Sequence, residues 1–140
     1  MGLAKPEIHL KGWGKEEWIV NNDKYCLKIM DINQGKRCSI HYHRKKDETF
    51  SVKNGLLRLL VFPDLAVMSF EHLATVIEPS KLEKEMLKHA EEHILAPGDS
   101  FRIHKMLLHQ FYGHSEEPAV FYEVSTTHEE EDSYRIVKGD

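Results

Sequence analysis

The chain is 140 residues long, 41% hydrophobic and 30% charged, with a formal net charge of −4. That is enough apolar material for a core without disulfides, which excludes wholesale disorder. The lack of a basic excess argues against nucleic acid or an anionic membrane surface as partner. In chain order, the opening Met1-Gly2-Leu3-Ala4-Lys5-Pro6 lacks the apolar stretch of a signal peptide, and Pro6 stands where a myristoylation site needs Ser or Thr. No later apolar run approaches the roughly 20 residues of a bilayer span. Cys26 and Cys38 form neither a CxxC pair nor a disulfide framework, which suits a reducing compartment. A cytoplasmic protein is expected.

Most of the remaining chain reads as short strands. Glu17 to Val20 is a brief apolar stretch, and Tyr25 to Ile32 alternates Tyr25, Leu27 and Ile29 against Lys28. Asn33-Gln34-Gly35 is a turn, followed by strands over Lys36 to His43 and Glu48 to Lys53. Asn54-Gly55 is the strongest hairpin signal in the chain, because both residues tolerate positive φ. Leu56 to Phe62 is a mostly apolar strand. Ser80 and Glu83 have the spacing of a capping box, and Leu82, Met86 and Ala90 repeat every four residues, which predicts one helix from about Lys81 to Glu91. Strands return at Glu92 to Ala96, Ser100 to His104, His109 to Tyr112 and Pro118 to Ser125. The remaining 126–140 form a tail whose acidic run, Glu129 to Asp132, is expected to be a solvated face. With no internal repeat and no low-complexity linker, the chain reads as one domain, 1–140. Its short strands suggest a barrel or sandwich.

Ten histidines are the unusual count. His41 and His43 lie two apart on a strand, so both imidazoles share a face while Ile40 and Tyr42 point to a second apolar layer. The Arg44-Lys45-Lys46-Asp47 turn brings Glu48 back on the next strand beside them. His109 can join from a distant strand lining the same interior. Neutral nitrogens with one carboxylate suit one divalent transition metal ion, with Mn, Fe, Zn, Ni and Co all admissible.

These residues resemble the cupin family. Its first motif, G(x)5HxH(x)4E(x)6G, is matched at every fixed position by Gly35, His41, His43, Glu48 and Gly55. The second, G(x)5PxG(x)2H(x)3N, is matched at Gly98 and His109, while His104, Met106 and Gly113 replace its Pro, Gly and Asn. The resemblance covers about 25–125. It implies a mainly β fold, a jelly-roll barrel with one short helical insertion, and a metal held inside by His41, His43, Glu48 and His109 with positions open to water or substrate. It also implies a homodimer, because the open edges of a jelly roll need cover.

A second similarity is to small sugar isomerases of the D-lyxose ketol-isomerase type. It rests on Val20 to Lys28, on Gly35, Cys38, His41, His43 and Glu48-Thr49-Phe50, and on Tyr122 to Thr127. It implies a sugar-like small-molecule substrate and aldose–ketose isomerisation. A base must then move a proton between adjacent carbons. Glu123 is the candidate, with Lys46 assisting or binding an oxygen or a phosphate. Two other readings use the same motif: an Fe(II)-dependent oxygenase and a non-catalytic carbohydrate-binding or regulatory cupin. A cavity wall without Glu123 or Lys46 would favour those. The other side chains are assigned ordinary roles. Cys38 is a buried thiol on the face of Ile40 and Tyr42, and Trp13 and Trp18 pack at the barrel's edge. His104 lies on the rim. His9, His72, His114 and His128 are on the surface, and His89 and His93 form an i, i+4 pair on the helix.

Overall fold

Alternation decides most of the strands, and β3 (Cys26–Ile32) shows it plainly: every second residue is buried. The face turned inward is that of Cys26, Lys28, Met30 and Ile32, while Leu27 and Ile29 lie half-exposed outside. A lysine therefore replaces an apolar residue in the interior row. The computed structural model describes residues 2–63 and 67–140 and, of Met68, the backbone alone. The other strands are β1 (Glu7–Lys11), β2 (Gly14–Asn21), β4 (Ile40–Tyr42), β5 (Glu48–Asn54), β6 (Leu57–Val61), β7 (Glu91–Leu95), β8 (Ser100–Ile103), β9 (His109–Gly113), β10 (Ala119–Ser125) and β11 (Tyr134–Val137).

They form two antiparallel sheets, ordered β1-β2-β3-β10-β5-β8 and β11-β4-β9-β6-β7. This is the mainly β jelly roll the motif implied. Its strands reach past 25–125 at both ends, with β1 and β2 before it and β11 after it. One apolar cluster, with Trp13, Met30, Phe50, Phe111 and Phe121, fills the space between the sheets. A second lies behind the five-stranded sheet, where Ile40, Tyr42, Leu60 and Phe62 meet Leu82 and Met86. The apolar layer expected behind Ile40 and Tyr42 is thus present.

The helical insertion holds α2 (Pro79–Leu87), shorter than the expected 81–91, and a further short helix, α1 (Val67–Leu73). The capping box does not form. Glu78 takes the N-cap position with Pro79 behind it, the Ser80 hydroxyl donates to Glu78 Oε1 at 2.9 Å, and Glu83 instead pairs with Arg37 at 3.1 Å. Proline suits the first helical position because it has no N–H to satisfy there. Since α2 ends at Leu87 and β7 begins at Glu91, His89 and His93 are not a helical pair.

Asn54-Gly55 is a turn but not a hairpin. It passes the chain from β5 in one sheet to β6 in the other. Gly55 has φ +72°, and a Cβ there would lie 2.6 Å from the Pro118 carbonyl oxygen. The dipeptide encodes the reversal, while the partners of β5 are chosen by distant chain, β10 and β8.

Met106, where the motif has glycine, adopts φ 71° nevertheless, and its N–H donates to the His43 carbonyl. A left-handed non-glycine residue costs about 1–2 kcal/mol, against about 0.4–1 kcal/mol for the extra freedom glycine brings to the unfolded chain. Met106→Gly is therefore expected to stabilise the fold by up to about 1 kcal/mol, read as a melting temperature a few degrees higher. A lower melting temperature would show that the Met106 side chain contributes more than its backbone costs.

Candidate metal centre and cavity

The HxH segment runs along β4, and β9 beside it pairs His109 directly with His41. That register brings three imidazoles together from positions far apart in sequence. Their ring centroids are 4.3 Å (His41–His109), 5.1 Å (His41–His43) and 5.7 Å (His43–His109) apart. One nitrogen from each lies within 4.8 Å of the others. Every ring is pinned through Nδ1 to a backbone carbonyl: His41 to Ser39 at 2.9 Å, His43 to Asp132 at 3.0 Å and His109 to Leu107 at 2.8 Å. A ring that donates from Nδ1 carries a lone pair on Nε2, the state a metal ligand needs.

Glu48, opening β5 from the facing sheet, completes the group. Its Oε1 lies 3.1 Å from His109 Nε2 and 3.8 Å from His43 Nε2. Neither Glu48 Oε1 nor His109 Nε2 makes a hydrogen bond among the described residues, although both are buried, while Glu48 Oε2 faces the Lys46 ammonium at 3.1 Å. Two lone-pair atoms at 3.1 Å with no proton correctly placed between them repel each other, and a buried polar atom left so is costly. A cation resolves the conflict, so the four side chains fit a divalent ion.

The titration of the group agrees. Burial, with the charges of His109 and His43, holds His41 well below the ordinary histidine value. Burial likewise pulls His43 down to about 4. Burial alone would raise Glu48, but the Lys46 ammonium overrides it and keeps the carboxyl well below the usual range. His41 and His43 are thus neutral and Glu48 ionised near neutral pH.

Beside these residues lies a cavity of about 470 Å³. Part of its wall is apolar, from Trp13, Met30 and Phe111, and part is charged. Glu16, Lys28, Glu123 and Glu48 sit on the adjacent strands β2, β3, β10 and β5, all facing inward. Lys46 reaches in from the turn before β5. Its Nζ is 3.1 Å from both Glu48 Oε2 and Glu123 Oε2, with only 3% of the side chain exposed. Lys28 Nζ lies 3.8 Å from Glu123 and 3.6 Å from Glu16, whose Oε1 accepts from Trp18 Nε1 at 2.8 Å. Charge alternates along the row, which is how buried ions are tolerated. Burial would lower the Lys46 pKa, but Glu123 and Glu48 raise it above the ordinary lysine value, so the ammonium stays charged.

All six residues read from the sequence, His41, His43, Lys46, Glu48, His109 and Glu123, therefore meet at this one cavity, whose wall includes His41, His43, Lys46, Glu48 and Glu123 with His109 packed against His41. Lys28 and Glu16 were missed. The signal for Lys28 was a lysine in the same alternating set as Met30 and Ile32. His128 also departs from expectation. It lies on the cavity wall rather than the open surface, with Nδ1 3.3 Å from Lys46 Nζ and Nε2 2.9 Å from Glu130. Cys38 is buried as expected but on the cavity side, not with Ile40 and Tyr42. Regular pairing of β4 begins only at Ile40, so strand parity does not extend back to residue 38. His104 is exposed.

The acidic run is not wholly solvated either. Asp132, in a 3₁₀ turn (Glu130–Asp132), is buried, and its carboxylate accepts the backbone N–H groups of Arg44, Lys45 and Lys46 at 2.9, 3.1 and 3.0 Å. Its carbonyl also holds His43. One residue from the chain's last segment thus shapes the turn that aims both Lys46 and Glu48. Asp132→Ala leaves several donors without an acceptor and is expected to cost about 2–3 kcal/mol of stability. It should also weaken metal affinity by about tenfold or more, as read by denaturation and metal titration. Unchanged affinity in a folded variant would show that the turn holds its shape unaided.

A protein-family model described as D-lyxose isomerase matches residues 12–137. No curated protein sequence matches the chain. Among solved structures, KdgF from Halomonas sp. superposes with a TM-score of 0.63 at 11% identity, over 91% of this chain and 90% of that one. The L-ribose isomerase of Cellulomonas parahominis, solved with L-ribose and with L-psicose, gives 0.69 at 20% identity, over 86% of this chain and 68% of that one. CapF of Staphylococcus aureus, a capsular polysaccharide assembling protein, gives 0.70 at 13% identity; it covers 97% of this chain, which spans 32% of CapF. At these identities the likeness is one of fold.

Proposed function

The chain belongs to the D-lyxose isomerase family and has a cupin fold, and from this we propose that it interconverts an aldose and a ketose in the cavity beside its three histidines. The observation that carries the reading is Glu123 Oε2 lying 3.1 Å from Lys46 Nζ within the cavity beside His41, His43 and His109. A base and a charged donor, besides the ligand set, are what proton transfer between adjacent carbons requires.

His41, His43, Glu48 and His109 would hold the divalent ion. When bound, such an ion supplies Lewis acidity toward a sugar carbonyl oxygen. Glu123 takes the proton from C2 of the open-chain sugar and returns it at C1. Lys46 holds the Glu123 carboxylate in place and donates a hydrogen bond to the substrate oxygen that gains negative charge. The hydroxyl proton passes from O2 to O1, so the conversion balances without any oxidant or co-substrate. Trp13 and Phe111 give the sugar's C–H edges an apolar wall and keep water from the reacting carbons. A charged interior of this kind favours proton transfer over oxygen chemistry or simple carbohydrate binding.

The test is to strip the protein with chelator, reload it separately with Mn, Fe, Co, Ni or Zn, and assay each form on pentoses, hexoses and their phosphates. Aldose–ketose conversion is expected only in metal-loaded forms. Oxygen consumption by the iron form, or thermal stabilisation by sugars without turnover in every form, would replace this reading with one of its two rivals.

A further inference from the structure

Of the chain's arginines, Arg37, Arg44, Arg58 and Arg102 each meet a carboxylate at 3.5 Å or less. Arg135 is the exception: it has no carboxylate partner among the described residues, although it lines the cavity. It is exposed, so its guanidinium stands at the cavity mouth rather than in the interior. Its strand, β11, is the edge of the five-stranded sheet, and the register sets Arg135 directly opposite His41 on β4. Opposed residues of an antiparallel pair share a face, so Arg135 looks to the same side as the imidazoles.

A second cation joins it because β11 is irregular. Its pairing with β4 shifts register between Arg135 and Val137, and Ile136 and Val137 both enter the apolar cluster behind the sheet. Strict alternation from Arg135 would send Lys138 to that apolar side as well. One extra residue reverses the parity, and Lys138 lines the cavity with Arg135, again without a carboxylate partner among the described residues. Ser133, two positions before Arg135, adds a hydroxyl to the same wall. The acids nearby are already engaged: Asp140 accepts from Arg37 at 2.9 Å, and Glu130 lies 2.9 Å from His128. Lys46 cannot serve in their place, because its ammonium is shared between Glu48 and Glu123.

Resting on the isomerase reading above, we infer that the substrate is a sugar phosphate, and that Arg135 and Lys138 bind its phosphate monoester at the cavity mouth. A guanidinium presents paired N–H groups that match two phosphate oxygens. The lysine answers the further charge of a group that carries about −1.5 to −2 at neutral pH. A carboxylate, with a single charge, would leave one of the two cations unanswered. Held at its phosphate end, the open-chain sugar extends inward and presents its carbonyl end to Glu123 and Lys46, so binding at one end orients reaction at the other.

Calorimetric titration with ribitol 5-phosphate, ribitol and ribonate tests this, since none of the three can be isomerised. Ribitol 5-phosphate is expected to bind the wild type at least about tenfold more tightly than ribitol, and more tightly than ribonate. Arg135→Gln and Lys138→Gln should each reduce that preference, and the double variant should abolish it. The preference should persist after chelator treatment. Equal affinity for ribitol and its phosphate would overturn the inference, as would a preference that survives in the double variant. A preference lost with the metal would overturn it too, by putting the phosphate on the ion. Ribonate binding as tightly as the phosphate ester would replace phosphate with carboxylate as the group recognised. In turnover, the double variant should lose phosphorylated substrates through KM rather than kcat. Because binding is read without turnover, the two readings fail separately: a protein that isomerises nothing can still show the phosphate preference, and one that converts only free sugars fails here alone.

Discussion

Glu123→Gln is expected to lower turnover by about 10²–10⁴-fold, the ordinary contribution of a positioned base, while metal content stays at the wild-type level. Glutamine has nearly the shape of glutamate and can still accept a hydrogen bond from Lys46 Nζ, 3.1 Å from the carboxylate. What it cannot do is take a proton. Stability should fall only modestly, because each lysine keeps a second carboxylate: Glu48 for Lys46 and Glu16 for Lys28. Steady-state kinetics, metal analysis and a thermal melt on the same preparation separate these effects. Turnover within a few-fold of wild type would remove Glu123 from the reaction. Lost turnover together with lost metal would mean that Glu123 acts through the shape of the site rather than on the substrate.

His109→Ala is expected to abolish activity and weaken metal binding by more than about 100-fold, since loss of a residue that merely orients a ligand already costs about 10–100-fold. His109 is fully buried, its Nδ1 is fixed by the Leu107 carbonyl, and its Nε2 faces Glu48 without a proton between them. It approaches the carboxylate more closely than His43 does. Because ligand that binds only the folded state raises its stability, divalent metal should raise the melting temperature of the wild type and leave that of His109→Ala unmoved. A His109→Ala protein that retains stoichiometric metal and turnover would remove His109 from the ligand set.

Both predictions rest on residues that spacing and resemblance make legible. Strand periodicity put His41 and His43 on one face whatever the rest of the chain did, and a four-residue turn was short enough to bring Glu48 back beside them. Gly35 and Gly55 marked turns for the same local reason, and both have positive φ. Motif spacing then picked out His109 and pointed to the jelly roll. Lys46 and Glu123 came from proximity in sequence and from a resemblance; that they touch each other was not legible, because they lie 77 positions apart.

What failed did so where distant chain chooses the partner. Asn54-Gly55 promised a hairpin, but the neighbours of β5 are β10 and β8. Parity put Cys38 with Ile40, but the chain before Ile40 is irregular. The acidic tail looked solvated, although Asp132 folds under the Arg44–Lys46 turn. His128 has no spacing to mark it, yet it lines the cavity wall beside Lys46.

Local backbone geometry acts over a few residues, and so the sequence alone determined most of the strands between 25 and 125, the turns and the cluster of potential ligands, but not β1 or β11. The sheet order β2-β3-β10-β5 is settled by packing over the whole chain. Only that order sets Glu16, Lys28, Glu123 and Glu48 side by side as a row of alternating charge with Lys46 between the last two. It was the tertiary structure, therefore, that decided a charged interior would face the histidines, because a buried lysine is tolerable only where the fold delivers carboxylates to meet it.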